Sequence, residues 1–507
     1  MTQSRPEKNV VQAVQRVLRD PRFRFWKNFA KRFPKGEAYL VGGAVRDIAM
    51  GRVTKDFDFV VRSVSVRLLT AFLKRHGRVD LVGKRFGVLK FVPRGWTGEA
   101  IDIALPRTDH SFGSGGYKDF DVQSDPRLPI VVDLARRDFT VNAIAVRITH
   151  NTQHITLVDP YGGLQDIQKK VLRTVGEPRA RFGEDYSRML RGLRFACQLD
   201  FAIEREAWRV MCRCMPRLDG SCRGVFIVPR ETIGREFIKA FVANPVIAFD
   251  LWRRCGAFST IVPELLKMER CPQPRAFHTE GDVWRHTILA LRALLDPAFR
   301  RAFPDMNLGA ILIFAVLFHD IGKPKTLRTP EEHGTNRIRF DGHDVVGADM
   351  ARAIAERLHL SQFPKDDAHY HIDTEMLFWL IRNHMLFRAQ TIPVMRATTI
   401  EKYFLKDRYR GRLLEALAWC DLRATLAPNG KPTLRVLHMM QKRVRVIEKN
   451  LKGTRIEPIV NGTAIMKRFQ LQPSPFIGQL LDALREEQLH GRVRTKKQAL
   501  EFLSTKV

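Results

Sequence analysis

Residues 39–61 read YLVGGAVRDIAMGRVTKDFDFVV, and the rest of the chain is organised around them. An apolar run leads into Gly42-Gly43, a short helical pattern follows, and a second apolar run carries Asp56 and Asp58. Side chains on a strand alternate faces, so residues two apart project from the same side. Phe57 and Phe59 are expected to face a core, with both carboxylates together in a cleft. Two like charges side by side are costly unless a cation sits between them. A hard divalent ion such as magnesium, bridging substrate phosphates, suits this pair. Upstream, Gly42 and Gly43 let the backbone approach a ligand closely and turn into a helix whose amides favour phosphate. Arg46 and Asp47 follow within its first turn. Glycine turn, arginine and paired aspartates point to a nucleoside triphosphate and a metal.

At 507 residues the chain is too long for one core, and several domains are expected. A hydrophobic content of 45% and a charged content of 28% are those of a globular protein. Lys+Arg number 86 against 54 Asp+Glu, a net charge of +32. That excess favours a nucleic-acid partner over an anionic membrane surface. The seven cysteines form no paired framework, which fits a reducing compartment. Cys212, Cys214 and Cys222 lie close together but lack a fourth metal ligand, so they read as free thiols. The N-terminus has no apolar signal core, and the longest apolar run, residues 311–318, is too short to span a bilayer. A cytoplasmic protein without a membrane partner is expected.

Residues 1–36 are basic and aromatic and suggest an amphipathic helix leading into the core. From Ala38 to about Val146, short β-rich runs alternate with turns, ending with IVVDLARRDFTVNAIAV at 130–146. This reads as a small α/β domain with a mixed sheet. Asp102, between Ile101 and Ile103 in another alternating strand, suits a third carboxylate beside Asp56 and Asp58. Residues 107–129, polar and rich in Gly and Asp, read as a long mobile loop of the lid or binding kind.

Arg136 and Arg137 suit either a solvated edge or a triphosphate clamp, because guanidinium pairs bidentately with phosphate. Asp138 and Asn142, one helical turn apart, suit sugar hydroxyls. In RFGEDYSRMLRGLRFACQL, at 181–199, Glu184 and Asp185 stand at an expected helix start. Arg188, Arg191 and Arg194 form a basic band, opposite a buried side of Met189, Leu190, Leu193 and Ala196. Asp185 and Arg188, three apart, offer an acceptor and donors to a base edge.

The ordered set LVGGAVRD, KDFDFVV, IDIALPR, RRDFTVNAIA, DPYGGLQDI and EDYSRMLRGLRFA resembles the bacterial class II CCA-adding tRNA nucleotidyltransferases and the related poly(A) polymerases. The resemblance implies an α+β protein: a small mixed-sheet nucleotidyltransferase head, then all-α neck, HD body and tail domains. The corresponding divisions are a basic N-terminal helix at 1–36, the head at 37–150, the neck at 151–265, the HD domain at 266–430 and a basic tail at 431–507. It implies magnesium at Asp56 and Asp58, with Asp102 as third catalytic carboxylate. Gly42, Gly43, Arg46 and Arg137, with Asp138 and Asn142, are implied as nucleotide-binding. Asp185, Arg188, Arg191 and Arg194 match the helix that selects the incoming base. After Val228 the chain departs from the family pattern, with Thr232 where arginine is common, although Glu231 and Glu236 fit.

The second half carries His278 and His286, then His319-Asp320 ending an apolar helix, His343-Asp344, His384, and Asp421 on an apolar stretch. Adjacent His-Asp is a compact ligand pair that other helices can complete into one or two metal sites. The pattern resembles HD-superfamily metal-dependent phosphohydrolases fused behind nucleotidyltransferase heads. That implies His286, His319, Asp320 and Asp421 as core ligands of a divalent transition metal, with His343 and His384 for a second ion. Beyond residue 433, a basic helix is followed by two amphipathic helices separated by Pro-Ser-Pro and Gly-Arg, with Ser474 where Gly is commoner in the family.

The implied reaction is template-independent transfer of CMP and AMP, from CTP and ATP, to a tRNA 3′ end. ATP-only addition to tRNA or another RNA 3′ end, and an HD phosphohydrolase of RNA ends, stand as alternatives. An RNA-binding protein with inactive sites conflicts with the intact aspartate set.

Overall fold

The computed structural model describes residues 5–82, 88–111, 113–116, 120–148, 156–222, 224–451 and 459–507. The Cys222 side chain, residues 112 and 117–119 of the 107–129 stretch, and residues 455–458 of the tail lie outside them. Two compact units are formed, Met1–Ile261 and Val262–Val507. Among the described residues, no helix is long and apolar enough to cross a membrane.

The first unit is built on a seven-stranded sheet in the order β3-β4-β5-β2-β1-β8-β9. These strands are β1 (Glu37–Val41), β2 (Asp58–Arg62), β3 (Gly77–Val82), β4 (Val88–Pro93), β5 (Ile101–Ala104), β8 (Ala145–Ile148) and β9 (Thr156–Val158). The helix Gly43–Ala49 joins β1 to β2, as the glycine turn predicts. β2 and β5 run parallel, and the other neighbours pair antiparallel, so the sheet is mixed.

Strand alternation decides the layers. Phe59 turns to one face and meets Trp26, with ring centroids 4.9 Å apart, while Phe25 meets Phe91 at 4.8 Å. Val60 turns to the other face, where it packs with Tyr39, Val41, Ile130 and Leu134. Burying an aromatic side chain of this kind stabilises the fold by about 1.5–3 kcal/mol. The N-terminal region is therefore a layer of the head rather than a single leading helix. It forms two helices, Arg5–Val17 and Phe25–Arg32, and the second supplies Phe25 and Trp26.

Three other expectations are corrected. Residues 107–129 do not form an irregular loop: β6 (Arg107–Ser111) and β7 (Phe120–Ser124) pair as an antiparallel ribbon, from Arg107↔Ser124 to Ser111↔Phe120. Its backbone hydrogen bonds need no apolar face, which is why polar composition concealed it. Residues 130–146 are not one strand run. Ile130–Ala135 is a helix beginning after Pro129, and only Ala145–Ile148 is strand. Glu184 ends the helix Pro178–Glu184, and Asp185 is extended, at φ −152° and ψ 104°, before the helix Ser187–Leu199. Asp185 thus stands at a break between helices.

In the second unit, Ala310–Phe318 is apolar all round and buried at every position. It packs among the helices Val283–Leu295, His343–Arg357, Thr374–Asn383 and Arg408–Ala424. The tail begins with Arg435–Leu451 and continues with three helices, Gly462–Phe469, Pro475–Leu489 and Lys496–Ser504. Ile465, Ile477, Leu484 and Leu503 form its small core. Ser474 precedes Pro475 at φ −159°, a conformation that needs no glycine.

Candidate active site and histidine centre

Parallel pairing of β2 with β5 sets Asp58 opposite Asp102, and Val41 at the end of β1 also pairs with Asp58. Asp56 lies just before β2, and all three carboxylates line one cleft. Burial, then the neighbouring Asp56 charge, push Asp58 up to about 6 against the pull of Arg137. Burial also raises Asp102, with Lys90 pulling it down and Asp56 pushing it up.

Gly42 has φ +72°, and a Cβ there would lie 2.6 Å from Nη1 of Arg137. The close approach made possible by this glycine is thus to an arginine of the site. Arg137 donates to the Asn142 carbonyl at 3.3 Å and to Asp133 at 3.2 Å. Arg136 donates to Asp133 at 2.6 and 3.0 Å and to Asp109 of the ribbon at 3.1 Å. Asp133 is fully buried; burial opposes its charge, but Arg137 and Arg136 outweigh that and hold it below the usual carboxylate range.

Asp138 and Asn142, expected on sugar hydroxyls, are engaged here with protein groups. Asp138 accepts from Arg191 at 2.6 and 2.8 Å, from the Phe139 amide at 2.8 Å and from Asn142 at 3.3 Å. Arg46 donates to Oδ1 of Asn142 at 2.7 Å and to Asp47 at 2.9 Å. A continuous chain therefore runs from Arg46 through Asn142 and Asp138 to Arg191. Burial disfavours the Asp138 charge, yet Arg191 holds it well below the ordinary range.

The basic band of Ser187–Leu199 faces the same cleft. Arg188 pairs with Glu184 and donates to the Arg181 carbonyl at 3.1 Å. Arg194 donates to Glu236 at 2.6 Å. Asp185 accepts from the Ser187 amide at 2.9 Å and is raised by burial, with Ser187 and Arg188 pulling it down. Met189, Leu190, Leu193 and Ala196 are buried, as their spacing requires.

In the second unit, His286, His319, Asp320 and Asp421 converge. His286 Nε2 lies 3.1 Å from Asp421 Oδ1, 3.4 Å from His319 Nε2 and 3.7 Å from Asp320 Oδ2. His319 Nε2 is 3.3 Å from Asp320 Oδ2. On the other side of Asp320, Nε2 of His343 and of His384 lie 3.6 and 3.9 Å from Oδ1. Both of those nitrogens are buried and make no hydrogen bond. Burial, with His343 and His319 nearby, lowers His384 to about 4, so its imidazole is neutral at pH 7. His286 is held at about 9: burial opposes its charge, but its bonds to Asp421 and Glu280 outweigh that. Lys323, 2.7 Å from Asp320, and Glu280 join the cluster, and the Asp344 charge acts on the adjacent His343.

The Poly A polymerase head domain family matches residues 38–173, and the HD domain family matches residues 305–419. A Multifunctional CCA protein of Alkalilimnicola ehrlichii is 33% identical over 390 residues, 74% of this chain and 84% of that protein. This chain belongs to the family of CCA-adding tRNA nucleotidyltransferases. As a member it is an enzyme of the nucleotidyltransferase class. An A-adding tRNA nucleotidyltransferase of Deinococcus radiodurans is 30% identical and spans 93% of this chain and 95% of its own. The fold agrees with a solved apo CCA-adding enzyme at a TM-score of 0.62, 19% identity and coverage of 97% and 99%. A Thermotoga maritima CCA-adding enzyme complexed with tRNA_CCA gives 0.60 at 19% identity, with both chains fully covered.

In this family member, several cleft residues escape the motif reading. Lys90 pairs with Asp102 across β4 and β5 and lines the cleft. A lysine within the apolar run VLKFV was its only signal. Arg235 and Lys239, four apart on Arg230–Ala243, line it too, and burial, with Arg194 nearby, lowers Lys239. Thr232, the departure from the family pattern, also lines the cleft.

Proposed function

We propose that this protein adds CMP and AMP, from CTP and ATP, to the 3′ end of tRNA, so building or repairing its CCA terminus. One observation carries the reading: Asp58 and Asp102, in register, share a cleft with the arginine face of Ser187–Leu199. Its relatives bear the names Multifunctional CCA protein and A-adding tRNA nucleotidyltransferase, and solved CCA-adding enzymes of the same fold include complexes with CTP and with ATP.

Three crowded carboxylates, one raised to about 6 by burial and by its neighbour, fit a hard divalent cation such as magnesium. Asp56 and Asp58, with Asp102 as third carboxylate, would hold such an ion, which would supply activation of the attacking hydroxyl and neutralisation of charge on the leaving oxygen. The chain's own residues do the positioning, the main contribution in phosphoryl transfer. The RNA 3′-hydroxyl attacks the α-phosphorus in line, and pyrophosphate leaves. Arg46, Arg137 and the Gly42-Gly43 turn hold the triphosphate. Asp138 and Asn142 brace Arg191 and Arg46 and stand next to the sugar. Asp185 and Arg188, with Arg191 and Arg194, face the base.

Transcripts of tRNA ending before C74, after C75 and at A76, supplied with CTP and ATP singly and together, test this reading. CTP incorporation on the shortest transcript is the expected result. A second reading, addition of the terminal A alone, is favoured by the A-adding relative from Deinococcus radiodurans that spans 93% of this chain. Incorporation of ATP only after C75, with no use of CTP, would establish it.

The histidine centre fits a divalent transition metal, since two buried imidazole nitrogens face Asp320 with no hydrogen-bond partner. His286, His319, Asp320 and Asp421 are its ligands, with His343 and His384 for a second ion. Zinc or nickel content, and hydrolysis of 2′,3′-cyclic nucleotides, test whether it is a second active site.

A further inference from the structure

Four histidines surround Asp320, and in each the Nδ1 nitrogen meets an acceptor while Nε2 faces inward. His319 Nδ1 lies 2.8 Å from the Val316 carbonyl, His343 Nδ1 2.7 Å from that of Phe340, and His384 Nδ1 2.6 Å from that of Ile381. In all three the acceptor is the carbonyl three residues upstream. Each residue sits at the start or the end of its helix.

His286 is placed differently. It lies inside the helix Val283–Leu295, and the carbonyl three residues upstream, that of Val283, already accepts from the Thr287 hydroxyl at 2.9 Å. The Nδ1 acceptor is instead Oε1 of Glu280, at 2.9 Å. The Glu280 side chain is fully buried. Oε1 also accepts from His278 Nδ1 at 2.6 Å, and Oε2 accepts from the Leu426 amide at 2.9 Å. Leu426 follows directly on Arg408–Ala424, the helix that carries Asp421. The adjacent Thr279 binds the same segment, its amide donating to the Leu426 carbonyl at 3.0 Å and its hydroxyl to that of Ala427 at 3.0 Å. One carboxylate thus touches both elements that supply facing groups of the centre.

We propose that Glu280 is the positioning residue of this centre. By accepting Nδ1–H of His286 it fixes the tautomer and ring angle that aim Nε2 at Asp320 and Asp421. By accepting the Leu426 amide it sets the spacing between the His286 and Asp421 elements. A carboxylate behind a ligating imidazole also raises its basicity, and removing such a partner typically costs about 10- to 100-fold in metal affinity. The inference rests on the reading of the cluster as a metal centre.

Cobalt(II) titration of the full chain, carrying Asp56→Asn and Asp58→Asn so that the head contributes no cation site, tests both. In this background, cobalt(II) binding with d–d absorption that His286→Ala abolishes is expected; if no such binding occurs, the metal-centre reading itself falls. Given that binding, Glu280→Gln is expected to weaken it about 10- to 100-fold and to change the d–d band. His278→Ala, which removes only the other imidazole, should leave both close to the parent. Parental affinity and spectrum in a folded Glu280→Gln variant would overturn the role of Glu280 alone. So would equal weakening by His278→Ala, because the carboxylate would then act through His278. Should Glu280→Gln not fold, ¹⁵N-histidine spectra of the otherwise unsubstituted full chain with zinc(II) decide. His286 is expected to coordinate through Nε2 with a proton on Nδ1, and coordination through Nδ1 would overturn the proposal.

Discussion

Asp58 and Asp102 face each other in register across β2 and β5, which run parallel. Each strand has apolar neighbours buried beside the aspartate, so the carboxylates are held near the start of two central strands by a packed core. Replacing either by Asn keeps the shape and removes the charge. Nucleotide incorporation should fall by at least about 100-fold, the scale of losing one preorganised electrostatic contact. The melting temperature should hold or rise, since like charges are relieved. Radiolabelled ATP incorporation and calorimetry measure the two, and unchanged incorporation would refute the catalytic assignment.

Gly42→Ala tests the turn. A non-glycine residue at φ +72° and ψ −137° costs about 1–3 kcal/mol, and its Cβ would strike Arg137. The expected signature is a higher KM for nucleotide together with a modest loss of stability. A kcat defect with KM unchanged would contradict a role for Arg137 in ground-state binding.

Asp138 predicts a pH dependence. Its carboxyl is held below its unfolded value of about 3.9, so the stabilisation is present above that pH. It is lost as pH falls below about 4 toward the folded value, because the unfolded chain then binds the proton first. Asp138→Asn leaves Arg191 without its charge partner and, since the Arg191 side chain is 40% exposed to water, should cost about 1–2 kcal/mol at neutral pH. The same variant should flatten the acid limb of a stability profile measured by urea unfolding. A parallel downward shift at every pH would mean that the pair does not carry the effect.

Gly115 joins the ribbon to Tyr186, the residue that precedes the helix Ser187–Leu199. Its carbonyl accepts from the Tyr186 amide at 2.9 Å, and a Cβ on it would lie 2.2 Å from the Tyr186 ring. Gly115→Val should lift the ribbon from the residue beside Asp185, reducing incorporation while the fold survives. Parental kinetics with both CTP and ATP would show that the ribbon is not coupled to that helix.

Local periodicity made much of this readable. The glycine turn, the alternation around Asp56 and Asp58, and Asp102 between two isoleucines need only neighbours in sequence to be interpreted. The cluster around Asp320 was legible because His319-Asp320 ends a helix apolar on every side. The ribbon was not, since paired polar strands have no hydrophobic alternation. Nor was Glu280: its role depends on residues 425–427 returning to the turn at 278–281, a tertiary approach that spacing along the chain does not encode. The helix Pro178–Glu184 that precedes the break at Asp185 was hidden too, because Phe182 is its single buried residue and one apolar position sets no period.

The parallel join of β2 to β5 also constrains when the protein becomes competent. Two antiparallel strands can meet through a tight turn, but a parallel pair needs a crossover, and here it comprises the helix Val66–Lys74 with β3 and β4. Contacts of such sequence separation form slowly, after the loop between them has been closed. During synthesis, a chain that has not emerged past Ala104 cannot assemble its carboxylate pair, however well β1 and β2 have formed. The carboxylate pair is thus a product of late folding, absent until β5 has joined the sheet beside β2.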